Sequence, residues 1–423
     1  MTTNPTGTLL LPDMTAEERD RSSRVDSVLP VLLENAVMAD RDAVLPRENV
    51  EAIAAAGLLG LIIPEQYGGL GGNLRDLAAA TFALGTACPS TALAYFFHCS
   101  ATSRGVLPLE AVEAGLFDDA EADVVRSFGE LVLGRMVAGK WMANFASESV
   151  KTAKTAISIA TEASKVDGGW SVSGVKAFGC GTGVADDYLV TARIPGGDTA
   201  EYLGVFLVDP GAVGVSERPK WDALGMRGSA AHGVILDNVF VEDAHALAVP
   251  GAFIKMMQMS RGSFVGNQPA GTAVYLGAAK ATHDFTLGHL TRSTFKDTGE
   301  PIGTADFQRQ LVAEMREALD TGLLWMRRQI ALETEVPPPL PKDQTVATWR
   351  IAKGTCAEAS MKVATCALKA CGTSNTGNSG LVARSLRDIS MGLVQAFPPE
   401  RGRLEAGLAI VTGSESAQFG GTG

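Results

Sequence analysis

The 423-residue chain carries 36 Lys and Arg against 47 Asp and Glu, a formal net charge of −11 with its five His neutral. Such an acidic balance offers no field for nucleic-acid phosphates or an anionic membrane surface, and neither is expected as a partner. A hydrophobic fraction of 46% and a charged fraction of 20%, with 47 Gly and only 19 Pro, exclude a disordered or collagen-like chain and give length enough for about two to four domains.

The N-terminal MTTNPTGTLLLPDMTAEERD has no basic stretch ahead of its short LLLP, so it lacks the form of a secretory signal. A cytoplasmic location is expected. From residue 23 to 138 the texture is helical: VDSVLPVLLENAVMADRDAVLPRENVEAIAAAGLLGLII places apolar residues three and four apart, interrupted at Pro46 and stopped at Pro64. The apolar part, AIAAAGLLGLIIP at 52–64, is shorter than the roughly 20 residues a membrane span needs. EQYGGLGGN is a Gly-rich turn, after which helical spacing resumes through LRDLAAATFALGTACPSTALAYFFH and AVEAGLFDDAEADVVRSFGELVLGRMVAG. This is an N-terminal helical domain.

Residues 139–249 read as a central β domain. AISIATEA, GWSVSGVKAF, DDYLVTARI, EYLGVFLVDP and HGVILDNVFVED are short β-branched or aromatic runs between Gly, Asp and Pro clusters. So many strands at short spacing predict a β-barrel or sandwich. Helices return over 250–413. FQRQLVAEMREALDTGLLWMRRQI puts Phe307, Leu311, Met315, Leu319, Leu323, Met326 and Ile330 on one face, and Trp349, Cys356, Val363 and Ala367 do the same in the next helix. With the Pro-rich VPPPLPKD at 336–343 between them, they read as part of a C-terminal four-helix bundle, followed by a frayed tail at 414–423. The class is α+β.

Chemistry-bearing motifs are few. Six Cys (Cys88, Cys99, Cys180, Cys356, Cys366, Cys371) contain no CxxC pair, which fits reduced, packed thiols and neither a disulfide scaffold nor a zinc site. His98, His232, His245, His283 and His289 form no HExxH or HxxxH pair, so no metal is expected. GCGTG at 179–183 lies between two strand runs without a following Lys, unlike a phosphate loop, and no GxSxG marks a hydrolase. The order of elements lacks the βαβ alternation of a Rossmann enzyme.

Several stretches in matching order over about residues 30–400 resemble the acyl-CoA dehydrogenase flavoprotein superfamily, including its flavin-dependent monooxygenase branch. They are GLLGLIIPEQYGGLGG at 57–72, GWSVSGVKAFGCGTGVADDYLVTAR at 169–193, LGMRGSAAHGVILDNVFVED at 224–243, TRSTF at 291–295 with Gln308, and CGTSNTGNSGLVARSLRDI at 371–389. The resemblance implies FAD held between the β domain and the bundle and reached in part by a neighbouring subunit, in a homotetramer or homodimer. By the same resemblance, Ser147 (paired with Glu148), Phe145, Phe178 and Cys180 would line the flavin ring. Arg292 would hold the pyrophosphate beside Phe295 and Gln308, with Gly372 and Thr373 bridging the cofactor.

Departures from the family pattern bear on the reaction. SESVKTAKTAISI replaces the usual Gly-rich turn after the Ser-Glu pair, and KDTGEPIG stretches the spacing from Phe295 to Gln308. Oxidation of an acyl thioester needs a carboxylate to take the α-proton. The family's position for it, eight residues after Arg387-Asp388, is Ala396, and the alternative position before Arg261 is Ser260. Glu400 in AFPPERGR is the next carboxylate along the chain and the candidate base. The resemblance thus leaves three readings. The first is an acyl-CoA or acyl-carrier-protein dehydrogenase using Glu400 and passing electrons to an electron-transfer protein. The second is a monooxygenase that hydroxylates a nitrogen, sulfur or carbon using reduced flavin, FMN included, from a partner flavin reductase. The third is a catalytically inactive flavin-fold binding subunit.

Overall fold

The computed structural model describes residues 9–149, 159–262 and 268–413; the expected tail at 414–423 and most of SESVKTAKTAISI lie outside them. Helix α1 (Ala16–Asp42) starts at a capping box in which Thr15 Oγ1 accepts from the Glu18 N–H and the Glu18 carboxylate accepts from the Thr15 N–H. Its buried stripe of Val25, Val28, Leu32, Ala36 and Ala39 repeats at three and four residues. Pro46 does not interrupt one long helix but stands ahead of a second, α2 (Arg47–Ala55), where its fixed φ suits a helix start. Two 3-10 turns carry the chain through GLLGLIIPEQYGG. Helices α3 (Leu74–Ala87), α4 (Pro89–Ser100), α5 (Ser103–Glu113) and α6 (Asp119–Val137) complete the N-terminal part.

Eight strands follow: β1 (Met142–Phe145), β2 (Glu162–Val166), β3 (Gly169–Lys176), β4 (Asp187–Arg193), β5 (Leu203–Val208), β6 (Val215–Glu217), β7 (Val234–Glu242) and β8 (Ala246–Leu247). They form one sheet in the order β6-β7-β3-β2-β4-β5-β8, with β1 parallel to β4. Burial follows coverage. In β7 buried and exposed residues nearly alternate, as in a sheet with one wet face, whereas β5 is buried along its whole length. Leu189, Val205 and Leu207 share a cluster with Val132, Leu133 and Met136 of α6, and Val190, Phe206 and Val208 join the larger core on the other face.

The β domain is tied to α4 through His98. Its Nε2 donates to the Leu59 carbonyl (3.0 Å) and its Nδ1 accepts from the Met142 N–H (2.9 Å). Burial lowers its pKa to about 4, so this His is a neutral structural link.

Helices return as α7 (Ala252–Gln258), α8 (Gln268–Arg292), α9 (Asp306–Thr334), α10 (Lys342–Cys371), α11 (Leu381–Ser390) and α12 (Pro399–Thr412). On α9 the expected face is buried from Leu311 to Ile330, but Phe307 is 59% exposed in the first turn. Helix α8 crosses α3 so closely that a Cβ at Gly277 would stand 2.1 Å from the Phe82 carbonyl oxygen. The small residues of GTAVYLGAA therefore permit the backbone contact that joins the bundle to the N-terminal helices. All six cysteines are free and buried. No helix among the described residues is long and apolar enough to cross a membrane.

Candidate functional site

Where β3 ends, the chain turns through Phe178, Gly179 and Cys180 and lies beside the end of β1. Ala177 donates its N–H to the Ser147 carbonyl (3.1 Å). The neighbouring Glu148 closes this corner from inside. Its carboxylate accepts from Lys176 Nζ (2.6 Å), Thr161 Oγ1 (2.7 Å) and the N–H groups of Thr161 (3.0 Å) and Ala160 (2.6 Å). Burial would raise its pKa, but the Lys176 charge and these hydrogen bonds outweigh that and hold it below the ordinary carboxylate range. Lys176, equally buried, is lowered to about 8 by desolvation. Glu148 is thus a structural clamp, while the Ser147 side chain is exposed.

The aromatic residues of this corner divide. Phe145 is fully buried, edge-on to Tyr188 at 4.8 Å. Phe178 is 46% exposed and leans on the equally open Trp221, centroids 5.0 Å apart. Trp221 was not singled out from sequence; its signal is an indole in an otherwise polar PKWDALG loop. An open aromatic pair at the end of a strand is a natural wall for a planar ring. Cys180 lies beneath, its thiol pushed up to about 12 by burial despite a hydrogen bond with Ser229.

A second loop, 226–232, is zipped to the first by Gly181 N–H to Ser229 O (2.9 Å) and Thr182 N–H to Ala230 O (3.0 Å). Met226 and Ala230 hold φ of 54° and 49°, left-handed conformations that cost a side-chain-bearing residue energy and that surrounding structure must enforce. Asp388 of α11 supplies one such restraint by accepting the Met226 N–H (2.6 Å). Arg387 beside it grips Asp40 of α1 with both Nη atoms (2.7 and 2.6 Å). His232 bonds Glu217 through Nε2 at 2.8 Å.

The segment after α11 packs on α8. Gly392 lies flat on the ring of Tyr275, where a Cβ would come within 2.9 Å of Cγ. Tyr275 donates its hydroxyl to Gln395 Oε1 (3.1 Å). Lys353 of α10 donates to the Gly392 carbonyl (2.9 Å) and to the Phe397 carbonyl, closing both ends of the loop. Burial pushes the Tyr275 hydroxyl pKa far up, and the Cys180 thiol adds to the shift. The bundle meets the β domain through the Met226–Asp388 hydrogen bond. Ala396 is exposed with φ 64°, and Ser260 is half-buried ahead of exposed Arg261. Glu400 is exposed in the first turn of α12, where its charge favours the protonated form of Lys353.

The remaining expected residues gather elsewhere. Arg292 is exposed at the end of α8, and Phe295 is 38% exposed in the turn closed by the Thr294–Pro301 bridge. Gln308 donates Nε2 to the Ala370 carbonyl (3.3 Å), while its Oε1 is buried without a hydrogen-bond partner. Gly372 ends α10 with φ 67° and exposed Thr373 follows. Tyr275 and Arg292 stand 17 residues apart on α8, or about 25 Å at 1.5 Å per residue. Within one chain the expected residues therefore form two groups. An exposed guanidinium without an ion pair among the described residues and an orphaned amide oxygen suit the phosphate and sugar end of a flavin; the Phe178–Trp221 wall suits its ring.

Comparison with known proteins gives the arrangement its relatives. The acyl-CoA dehydrogenase N-terminal, middle and C-terminal domain families match residues 21–108, 144–239 and 270–397. L-evernosamine nitrososynthase of a Micromonospora species is 30% identical over 72% of this chain and 66% of its own length. Putative acyl-CoA dehydrogenase YdbM of Bacillus subtilis is 23% identical over 89% of this chain and 93% of its own. The structure of KijD3 in complex with FMN and dTDP-3-amino-2,3,6-trideoxy-4-keto-3-methyl-D-glucose superposes with a TM-score of 0.79, at 23% identity, covering 99% of both chains. The family binds FAD, and KijD3 was solved with FMN. With all three domains matched in order, the chain belongs to the acyl-CoA dehydrogenase superfamily of flavoenzymes.

Proposed function

We propose that this flavoenzyme is a monooxygenase, oxidising a small-molecule amine with flavin reduced by a partner reductase, in preference to a dehydrogenase of acyl thioesters. The observation that carries this reading is the loop after α11. It is fastened at Gly392, Gln395 and Phe397, yet neither Ala396 on it nor Ser260, the other expected base position, offers a carboxylate. Removing an α-proton needs a base within about 3 Å of it; oxygenating nitrogen does not. Glu400 is engaged electrostatically with Lys353, and the two prolines before it place it on another helix.

Phe178 and Trp221 would bear on the flavin ring, and Ser147 would present its hydroxyl to the ring edge. When bound, reduced flavin supplies the electrons that activate O2. Gln395, its Oε1 held by Tyr275, keeps an amide N–H group to donate towards the substrate. The amine as substrate class is supported by the likeness to a nitrososynthase and by the amino-sugar nucleotide bound in KijD3. Arg292, Phe295, Gln308, Gly372 and Thr373, at the far end of α8, would complete the flavin site of a neighbouring copy in a homodimer or homotetramer.

The dehydrogenase reading retains support in the PEQYGG turn and in the likeness to YdbM over most of both chains. One experiment separates the two. Flavin-loaded full-length protein is mixed without oxygen with a panel of acyl thioesters, and then with O2, externally reduced FMN and an amino-sugar nucleotide. The expected result is no bleaching of the oxidised flavin by any thioester and, in the second mixture, a product heavier by oxygen that forms only when flavin and O2 are both present. Bleaching by a thioester, abolished in Glu400→Gln, would restore the dehydrogenase with Glu400 as its base.

A further inference from the structure

Near α7 and on the face of the sheet that carries Met142 and Leu189, three side chains have buried polar atoms without a hydrogen-bond partner among the described residues. Arg104, in the first turn of α5, is 4% exposed, and its Nε and Nη1 are enclosed without a hydrogen bond. Its one described contact of note is with the ring of Phe253 on α7, whose centroid lies 5.4 Å from the guanidinium carbon. Asn144 Oδ1 and Thr191 Oγ1 are buried and equally unpaired.

Strand alternation places Asn144 on the side of β1 shared with Met142, and Thr191 on the side of β4 shared with Leu189. Met142 and Leu189 belong to the same packed cluster as Ala101, Leu109 and Ala252, against which Phe253 rests. The orphaned groups thus lie on elements that border one packed cluster, β1 and β4 on one side and α5 and α7 on the other.

Burial alone lowers the Arg104 pKa, to about 10, with no carboxylate near enough to offset it. Lys342, at the other end of α7, has carbonyl partners where Arg104 has none. It is half-buried, donates only to the Met257 and Gln258 carbonyls (3.4 and 3.2 Å), and is likewise lowered by desolvation. A buried cation costs free energy unless it is paired, so a fold that keeps an unpaired one implies a counter-ion from outside the chain.

We infer that Arg104 is the anchor of a binding place for an anionic group, carboxylate or phosphoryl, of a small-molecule ligand, with Thr191 as a further hydrogen-bond donor. The Asn144 carbonyl accepts from a hydroxyl or amine on the same molecule. The planar guanidinium fork matches two oxygens of either anion. Helix α7 is seven residues long and its Phe253 is half-exposed, so the cover over Arg104 is thin.

The inference concerns binding and is tested without flavin turnover, so its failure would leave the monooxygenase reading standing. Thermal unfolding of the full-length protein is followed while inorganic phosphate and, separately, propionate are titrated at ionic strength held constant with NaCl. Wild type should gain Tm saturably with at least one of the two; phosphate alone would assign a phosphoryl group and propionate alone a carboxylate. Arg104→Met should lose the response while melting no lower than wild type in NaCl alone, because a stranded charge has gone. Arg104→Lys, which keeps the charge without the fork, should need about tenfold more anion. The proposal is overturned if neither anion shifts wild type beyond NaCl, if the Met variant responds as wild type does, or, should that variant not fold, if the Lys variant responds at unchanged concentration.

Discussion

The Ser147–Glu148 corner of the β domain and the loop after α11 in the bundle treat charge in opposite ways. At the corner a carboxylate is present but fully used, surrounded by Lys176, Thr161 and two backbone N–H groups. On the loop the carboxylate is missing and a buried Lys353 binds carbonyls in its place. A charge that serves the fold is saturated with partners, whereas a charge that serves chemistry must keep a valence open to the substrate. By that measure neither region provides a base, although both retain neutral donors, the Ser147 hydroxyl and the Gln395 amide.

The difference can be broken most forcefully at the corner. Glu148→Ala strands the Lys176 ammonium in a site with 0% side-chain exposure, and loss of one partner of such a pair costs about 3–5 kcal/mol. Urea unfolding should show that loss, and adding Lys176→Met to the variant should return much of it, since the uncompensated charge is then gone. On the loop, Lys353→Met keeps the stem but leaves the Gly392 and Phe397 carbonyls unpaired, for a smaller cost of about 1–3 kcal/mol. Hydrogen exchange of residues 393–397 should rise in that variant while exchange in β3 stays as in wild type. If both regions loosen together, they are one cooperative unit.

Asp388 ties α11 to the 226–232 loop and can be probed by pH. Burial first, then the like charge of Asp40, raise its pKa from 3.8 to about 6, against the Met226 N–H bond and the charges of Arg384 and Arg387. Between those values the folded chain binds a proton that the unfolded chain does not, so this group's contribution to stability falls as pH rises from about 4 to 6. Asp388→Asn keeps an acceptor for Met226 but removes the titration. Its unfolding free energy should vary less over that interval than wild type, and an unchanged slope would assign the effect to another group.

Much of this arrangement was legible in the sequence because it depends on local signals. Helix faces such as Leu311 to Ile330 follow from spacing, and the strand runs follow from their Gly and Asp borders. Phe307 failed that reading because the first turn of α9 is exposed. The vacant base positions were legible as well, since they are a matter of counting from Arg387-Asp388. What spacing could not supply was long-range pairing. Asp388 meets Met226 across 162 residues, and Lys353 closes a loop some 40 residues further on. Tyr275 carried a faint signal, an aromatic in the small-residue run GTAVYLGAA of α8, and Arg104 another, a charge just after the apolar α4. Neither signal says what the residue touches.

The smallest expected effect lies at Ala396 itself. With φ at 64° this residue occupies the left-handed region in which a Cβ crowds the following carbonyl. It is exposed, so no packing is lost when the side chain is removed. Ala396→Gly should therefore stabilise the protein slightly, by about 0.5 kcal/mol once the greater freedom of glycine in the unfolded chain is set against the relief. If the conformation is local to Ala396, the same gain should persist in the Lys353→Met background. If Lys353 imposes it, the loop relaxes in that background and the gain vanishes. A double-mutant cycle on unfolding free energy thus reads whether the strain at the vacant base position is local to Ala396 or imposed from α10.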